Sequence, residues 1–251
     1  LCALSPASWT PDLSSIRAED VIAALDAAGD SGRAKKSARF FKTGPGEYGE
    51  GDVFVGVSVP DQRKLARQFR GIGRDAVVRL LASEVHEHRL TGLILAVWEF
   101  AHAESAECEA WVQMYLQQVR DGRVNNWDLV DSSAEQILGE WLVGQDYSLL
   151  LELAADGDLW CRRVGIIATF AFTKRGDAQP LLAVAPLVIG DRRDLIQKAY
   201  GWMLREAGKR CGAEMLIEYL DRHAAAMGRT ALSYATEHLD AQARAEYRVR
   251  R

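Results

Sequence analysis

The chemistry of this chain is concentrated in Asn125-Asn126-Trp127-Asp128-Leu129-Val130-Asp131-Ser132-Ser133. Residues four apart on an α-helix share one strip of surface, so the Trp127 indole and the Asp131 carboxylate lie one above the other. A carboxylate at a groove stabilises developing positive charge and orients a water, and an indole face attracts cations. The pair is a candidate active site; the plainer alternative is a core-edge Trp with a solvated Asp on a first helical turn. Two later stretches supply complementary groups. The helix containing Trp160-Cys161-Arg162-Arg163 is apolar almost all round, so Arg163 emerges beside Ile167 and Phe170 and needs a carboxylate or phosphate partner. Asp131, Asp128 and a phosphate all satisfy that need, and the sequence does not choose. Trp202 falls off the buried stripe of its own helix (Ile196, Ala199, Met203, Ala207), near Lys198, Arg205 and Lys209. There it either covers their aliphatic stems or forms a stacking platform beside a phosphate-binding strip.

The elements that must position these groups are helices. The pattern predicts helices over about 18–28, 35–42, 60–70, 74–82, 85–102, 104–120, 126–142, 146–155, 158–173, 177–189, 193–210, 212–223, 229–238 and 240–250, with no strand alternation. Ser58 with Asp61 and Pro60 marks one helix start. Loops of two to five residues make neighbouring helices antiparallel. Asp158, Leu159, Arg162 and Gly165 align with Asp194, Leu195, Lys198 and Gly201 at an offset of 36, and Arg89 and Gly92 resemble Arg162 and Gly165 at about twice that spacing. A period of helix pairs near this length predicts an all-α solenoid of HEAT-like pairs whose inner helices line a concave face. The glycines would let helices approach closely. Residues 1–16 read as an irregular N-terminal arm with no apolar signal-peptide core, and 17–251 as a single domain.

Composition narrows the function classes. The chain has 251 residues and a net charge of −4, which argues against strong indiscriminate nucleic-acid binding, yet charge is polarised along it. Residues 192–210 carry six basic side chains against Asp194 and Glu206, whereas Glu104, Glu107 and Glu109 sit on an acidic stretch. No apolar run is long enough for a membrane span, and cytoplasmic residence is the default expectation. Cys2, Cys108, Cys161 and Cys211 lack short C-x-x-C spacing and read as structural. His86-Glu87-His88 is not a zincin motif, because histidines two apart point to different helix faces, and no metal is expected. Gly44-Pro45-Gly46-Glu47-Tyr48-Gly49 matches G-x-G-x-x-G but follows a helix and carries repelling carboxylates, so a nucleotide site is rejected.

Taken in order, Phe40-Phe41-Lys42 with Val53-Phe54-Val55-Gly56-Val57 and Pro60, Trp127 to Ser132, Trp160 to Arg163, and Gln197 to Glu206 resemble the AlkD family of alkylpurine DNA glycosylases, which are built of HEAT-like repeats. The resemblance runs from about Lys35 to Arg210 and onward. It implies hydrolysis of the N-glycosidic bond of cationic N3- or N7-alkylpurines in duplex DNA, by a monomer, without metal or organic cofactor, in base excision repair at the nucleoid. It also implies that the damaged pair stays in the duplex, unlike the base flipping general among glycosylases. The family's catalytic Asp falls on Asp131, its lesion-flanking tryptophans on Trp127 and Trp202, and its Arg beside phosphate and carboxylate on Arg163. Phe40 stands where the best-known branch has a Tyr, which removes a phenolic hydrogen bond but keeps an aromatic surface against the substrate. Arg163, Arg162, Lys198, Arg205 and Lys209 are the expected DNA contacts. An alkylated purine is already a cationic leaving group, so no strong general acid is needed. The rival reading is a catalytically silent HEAT-like scaffold that binds DNA or a protein through the same face. A purely protein-binding solenoid ranks behind both, since it predicts no salt-dependent DNA affinity.

Overall fold

Helix follows helix throughout the computed structural model, which describes residues 16–250. They are α1 (Ala18–Ala27), α2 (Ser31–Phe40), α3 (Val59–Ala66), α4 (Arg74–Leu81), α5 (His86–His102), α6 (Ser105–Arg120), α7 (Trp127–Asp131) and α8 (Glu140–Leu142). After these come α9 (Ser148–Ala155), α10 (Leu159–Ala168), α11 (Phe170–Thr173), α12 (Gln179–Val188), α13 (Asp194–Arg210), α14 (Ala213–His223), α15 (Arg229–Ala235) and α16 (Ala241–Val249). The fold is all-α; extended pairing among the described residues is limited to one parallel bridge between Val53 and Val85. The expected N-terminal arm, apart from Ile16, and Cys2 lie outside the described residues.

Successive helices pair and stack as the repeat predicted. An inner row, α5, α7, α10, α13 and α15, packs side by side in chain order, and α4, α9, α12 and α14 lie behind it. Two of the aligned glycines set how closely helices approach, one between the rows and one within the inner row. A Cβ on Gly165 would stand 2.7 Å from the Ala154 nitrogen on α9, and one on Gly201 would overlap the Ala231 carbonyl on α15. Side chains do not pack that closely against backbone, so only glycine permits these crossings. The core between the rows is continuous and includes Leu93, Leu129, Val130, Ile137, Val164, Ile167, Ala199 and Met203. Burying each large aliphatic side chain contributes about 1.5–3 kcal/mol.

Two predicted helices are broken. The one expected over 126–142 unwinds after Asp131, because the Ser132 and Ser133 hydroxyls donate to the Leu129 carbonyl at 3.3 and 2.6 Å and compete for the helical acceptor. The chain resumes as a π-helical turn, Glu135–Gly139. Such turns often mark functional sites. Thr169 divides the 158–173 segment by donating to the Ile166 carbonyl at 2.6 Å.

Candidate active site

Every residue of the asparagine-tryptophan stretch has a separate task. Asn126 is buried and caps α7, accepting from the Trp127 backbone N–H at 2.8 Å. Its amide donates to Asp52 at 3.1 Å, and the Asn125 carbonyl accepts from Arg89 at 2.7 Å. Leu129 and Val130 are fully buried and pin the short helix to the core. Trp127 and Asp131 are left facing the groove.

Beneath α7 lies a polar cluster that sequence reasoning missed. The His86 ring bridges two carboxylates, Nδ1 to Asp52 at 2.9 Å and Nε2 to Asp128 at 2.8 Å, and Arg89 also pairs with Asp52. Burial by itself would lower the His86 pKa. The two hydrogen-bonded carboxylates outweigh it and raise the pKa from 6.5 to about 9, so the ring is an imidazolium at neutral pH. Two cations and two anions are thus interleaved in the interior. Glu87 and His88 serve the same frame: Glu87 accepts from the Val55 and Gly56 N–H groups at 3.1 and 2.8 Å, and His88 meets Asp26 at 3.0 Å. The glycine-rich loop is thereby fastened to α5. Its Gly44 and Gly46 N–H groups are occupied by Glu47 and Glu50 at 2.9 and 2.8 Å, which leaves no cradle for a phosphate.

Above this frame, aromatic rings build one wall. Phe41 stacks on Trp127 at 5.4 Å and 17° and on Phe54 at 5.2 Å, while Phe54 stacks on His86 at 4.8 Å. Phe40 meets Trp127 edge-on at 6.0 Å and is 66% exposed. Phe41 therefore orients the indole, and Phe40 remains exposed beside it.

Arg163 resolves the ambiguity left by its sequence: it grips Asp131, Nε to Oδ1 at 2.9 Å and Nη2 to Oδ2 at 2.7 Å, while Nη1 donates to the Leu195 carbonyl. Three inner helices thus meet at one carboxylate. The Arg163 side chain is only 5% exposed, whereas that of Asp131 remains 18% open to the groove. Burial pushes the Asp131 carboxyl above its usual range, Arg163 pulls it back, and Asp128 adds to the rise.

Asp131, Trp127 and Phe40 stand on the divide between two cavities. One, of about 700 Å³, is lined by Trp202, Arg163 and Lys198, and by Lys42, Tyr48, Arg193 and Tyr234. The other, of about 970 Å³, is lined by Arg63, Arg67 and Arg70 together with Leu90, Ile94 and Trp98. Both cavities therefore border the carboxylate.

The structure brings Asp131, Trp127, Trp202, Phe40, Arg163 and Lys198 together but places Arg162, Arg205 and Lys209 elsewhere. Arg162 turns away to Asp191 at 2.7 Å. Arg205 pairs with Glu206 and Glu237, and Lys209 and Arg210 also close on Glu206. The cations expected as a strip on α13 are engaged in ion pairs; counting charges along the chain could not show that one carboxylate collects three cations. Lys198 also has a partner, Asp194 at 2.7 Å, yet it lines the groove. Arginines with no carboxylate partner among the described residues line the other cavity instead. Arg63, Arg67 and Arg70 recur at helical spacing, a signal that was available in the sequence, and Arg70 lies 3.3 Å over the Trp98 ring. Tyr48 and Tyr234 gave no such signal. Among the described residues no group of three or more His, Cys, Asp or Glu side chains is placed to hold a metal ion.

Known proteins give the arrangement a context. The sequence model of a family described as DNA alkylation repair enzymes matches residues 21–239. A solved structure described as a predicted DNA alkylation repair enzyme from Enterococcus faecalis superposes with a TM-score of 0.64 at 18% identity, over 85% of this chain and 97% of that one. At that identity the likeness is one of fold. No curated protein matches the sequence.

Proposed function

The chain belongs to the family of DNA alkylation repair enzymes, and from that premise we propose that it is a DNA glycosylase acting as a monomer on cationic N3- or N7-alkylpurines in duplex DNA. The observation that carries this reading is the Asp131 carboxylate, held from behind by Arg163 and open to a groove flanked by Trp127 and Trp202.

The reaction follows from those groups. When the C1′–N9 bond breaks, its electron pair goes to the purine, which leaves as a neutral base, and the sugar acquires oxocarbenium character. Asp131 stabilises that charge and orients a water; the water oxygen bonds to C1′ and its proton is released, leaving an abasic site. Because the carboxylate is already fixed by two hydrogen bonds, little reorganisation accompanies the charge development. Trp127 and Trp202 present indole surfaces to a cationic purine, an attraction of about 0.5–2 kcal/mol each. Phe40, exposed at the lip, extends that surface. Lys198 and the arginines of α3 and the turn after it hold the backbone by charge.

The decisive experiment is single-turnover release of free base from duplex DNA carrying N3- or N7-alkylpurines. Asp131→Asn is expected to lower the rate on the order of 10²-fold or more, the scale of losing a placed electrostatic stabiliser. A loss under threefold would remove Asp131 from the chemistry. Absence of release from methyl and bulky adducts, with salt-sensitive binding intact, would favour the scaffold reading.

A further inference from the structure

A third cavity, of about 550 Å³, lies between the start of α13, the start of α15 and the end of α16. Four arginines line it, Arg192, Arg229, Arg248 and Arg250, with Ser233 and no carboxylate side chain among the described residues. Arg250 has an acidic partner, Asp221 at 2.5 Å, which also accepts from Tyr247 at 2.9 Å. Arg192, Arg229 and Arg248 have none among the described residues, and all three are exposed. Such a cluster is not a product of composition, since the chain as a whole is acidic. Like charges gathered around one opening repel each other, and an anion bound among them relieves that repulsion.

Its position says which anion. Arg192 adjoins Arg193, and Ser233 adjoins Tyr234; Arg193 and Tyr234 both line the cavity that holds Asp131. Thr230, next to Arg229, reaches Asp194 at 3.4 Å, so the α13 and α15 ends are joined across this edge. The cluster therefore lies beside the cavity that holds Asp131. On the side of Asp131 toward α3, Arg63, Arg67 and Arg70 line the other cavity that Asp131 borders.

We propose that Arg192, Arg229, Arg248 and Arg250 form a phosphate clamp for the DNA strand leaving the catalytic groove. The clamp and the arginines near α3 then bracket the Asp131 cavity, and the carboxylate is brought to the sugar by backbone contacts on both sides. Arginine suits the task because its planar donors reach two phosphate oxygens at once. The clamp rests on the DNA-repair reading of the groove, and it adds backbone contacts without base recognition.

The test measures affinity for an undamaged duplex between about 50 and 200 mM salt. The wild-type chain is compared with a triple variant, Arg192→Ala, Arg229→Ala and Arg248→Ala, and with a triple lysine variant at the same positions. The alanine variant is expected to lower the slope of log affinity against log salt by up to about 2.7, near 0.9 for each phosphate that is no longer neutralised. The lysine variant should retain most of the slope; if the alanine variant unfolds, the single variant Arg248→Gln carries the test, with a slope lowered by about 0.9 expected and an unchanged slope overturning the clamp. Equal slopes and affinities in wild-type and folded alanine variant overturn the clamp while leaving the glycosylase reading intact. Base release absent from the wild-type chain, with arginine-dependent binding intact, overturns the glycosylase reading and leaves the clamp. Inorganic phosphate that binds at constant ionic strength only when the arginines are present, with no arginine effect on DNA affinity, assigns the cavity to a free anion and overturns the clamp.

Discussion

Arg163 and Asp131, 32 residues apart in sequence, form a two-point ion pair in which the guanidinium is buried and the carboxylate reaches the groove. The pair decides both the geometry and the charge state of the proposed catalytic group. Arg163→Gln removes the charge that opposes desolvation, so the Asp131 pKa should rise further. Because the reaction needs the anion, the acid limb of the pH profile for base release should move to higher pH. Single-turnover rates from about pH 4 to 8 check this; a lower plateau with an unmoved limb would show that Arg163 acts only through packing.

His86 supplies a prediction about stability. Its folded pKa of about 9 lies above the unfolded 6.5, so its contribution is fully present below about pH 6.5 and is lost as pH rises through 9. The shift corresponds to on the order of 3 kcal/mol. Denaturant unfolding at about pH 6.5 and 9.5 should show the wild-type chain losing stability over that window. His86→Gln should be less stable at the lower pH and should lose much less over the same window.

Gly201→Ala tests the close crossing of α13 and α15. The new methyl would overlap the Ala231 carbonyl and stand 2.7 Å from the Tyr234 Cβ, both on a packed helix. A loss of about 1–3 kcal/mol is expected from overpacking, read as a lower denaturant midpoint. Unchanged stability would mean that the two helices separate without cost.

The distribution of cations predicts which substitutions alter DNA binding. Arg67→Ala, at the groove and without a carboxylate partner among the described residues, should lower the salt slope by about 0.9. Lys209→Ala, whose partner Glu206 is shared with Arg205 and Arg210, should leave the slope almost unchanged. Anisotropy titrations of a lesion-free duplex distinguish them; the opposite ranking would restore the α13 strip as the principal phosphate-binding surface.

Sequence alone determined the helical architecture and singled out Asp131 as the candidate central group. Apolar periodicity, short loops and the 36-residue repeat depend on neighbours along the chain, and so does the placing of Trp127 above Asp131. Local chemistry also made Arg163 conspicuous, since an arginine on an apolar helix demands a partner. Tertiary structure decided which partner it takes, because Asp131 and Asp128 are almost equally near in sequence and the packing gives Asp128 to His86 and Asp131 to Arg163. It decided that Glu206 engages three cations of α13, and that the arginines without a carboxylate partner among the described residues lie near α3 and around the α15–α16 edge. The buried Asp52–His86–Asp128 bridge was equally hidden, since its members are 34 and 42 residues apart. Periodicity reports which face a residue occupies on its own helix. Ion pairing depends on distances between helices, which only the packing of the rows fixes.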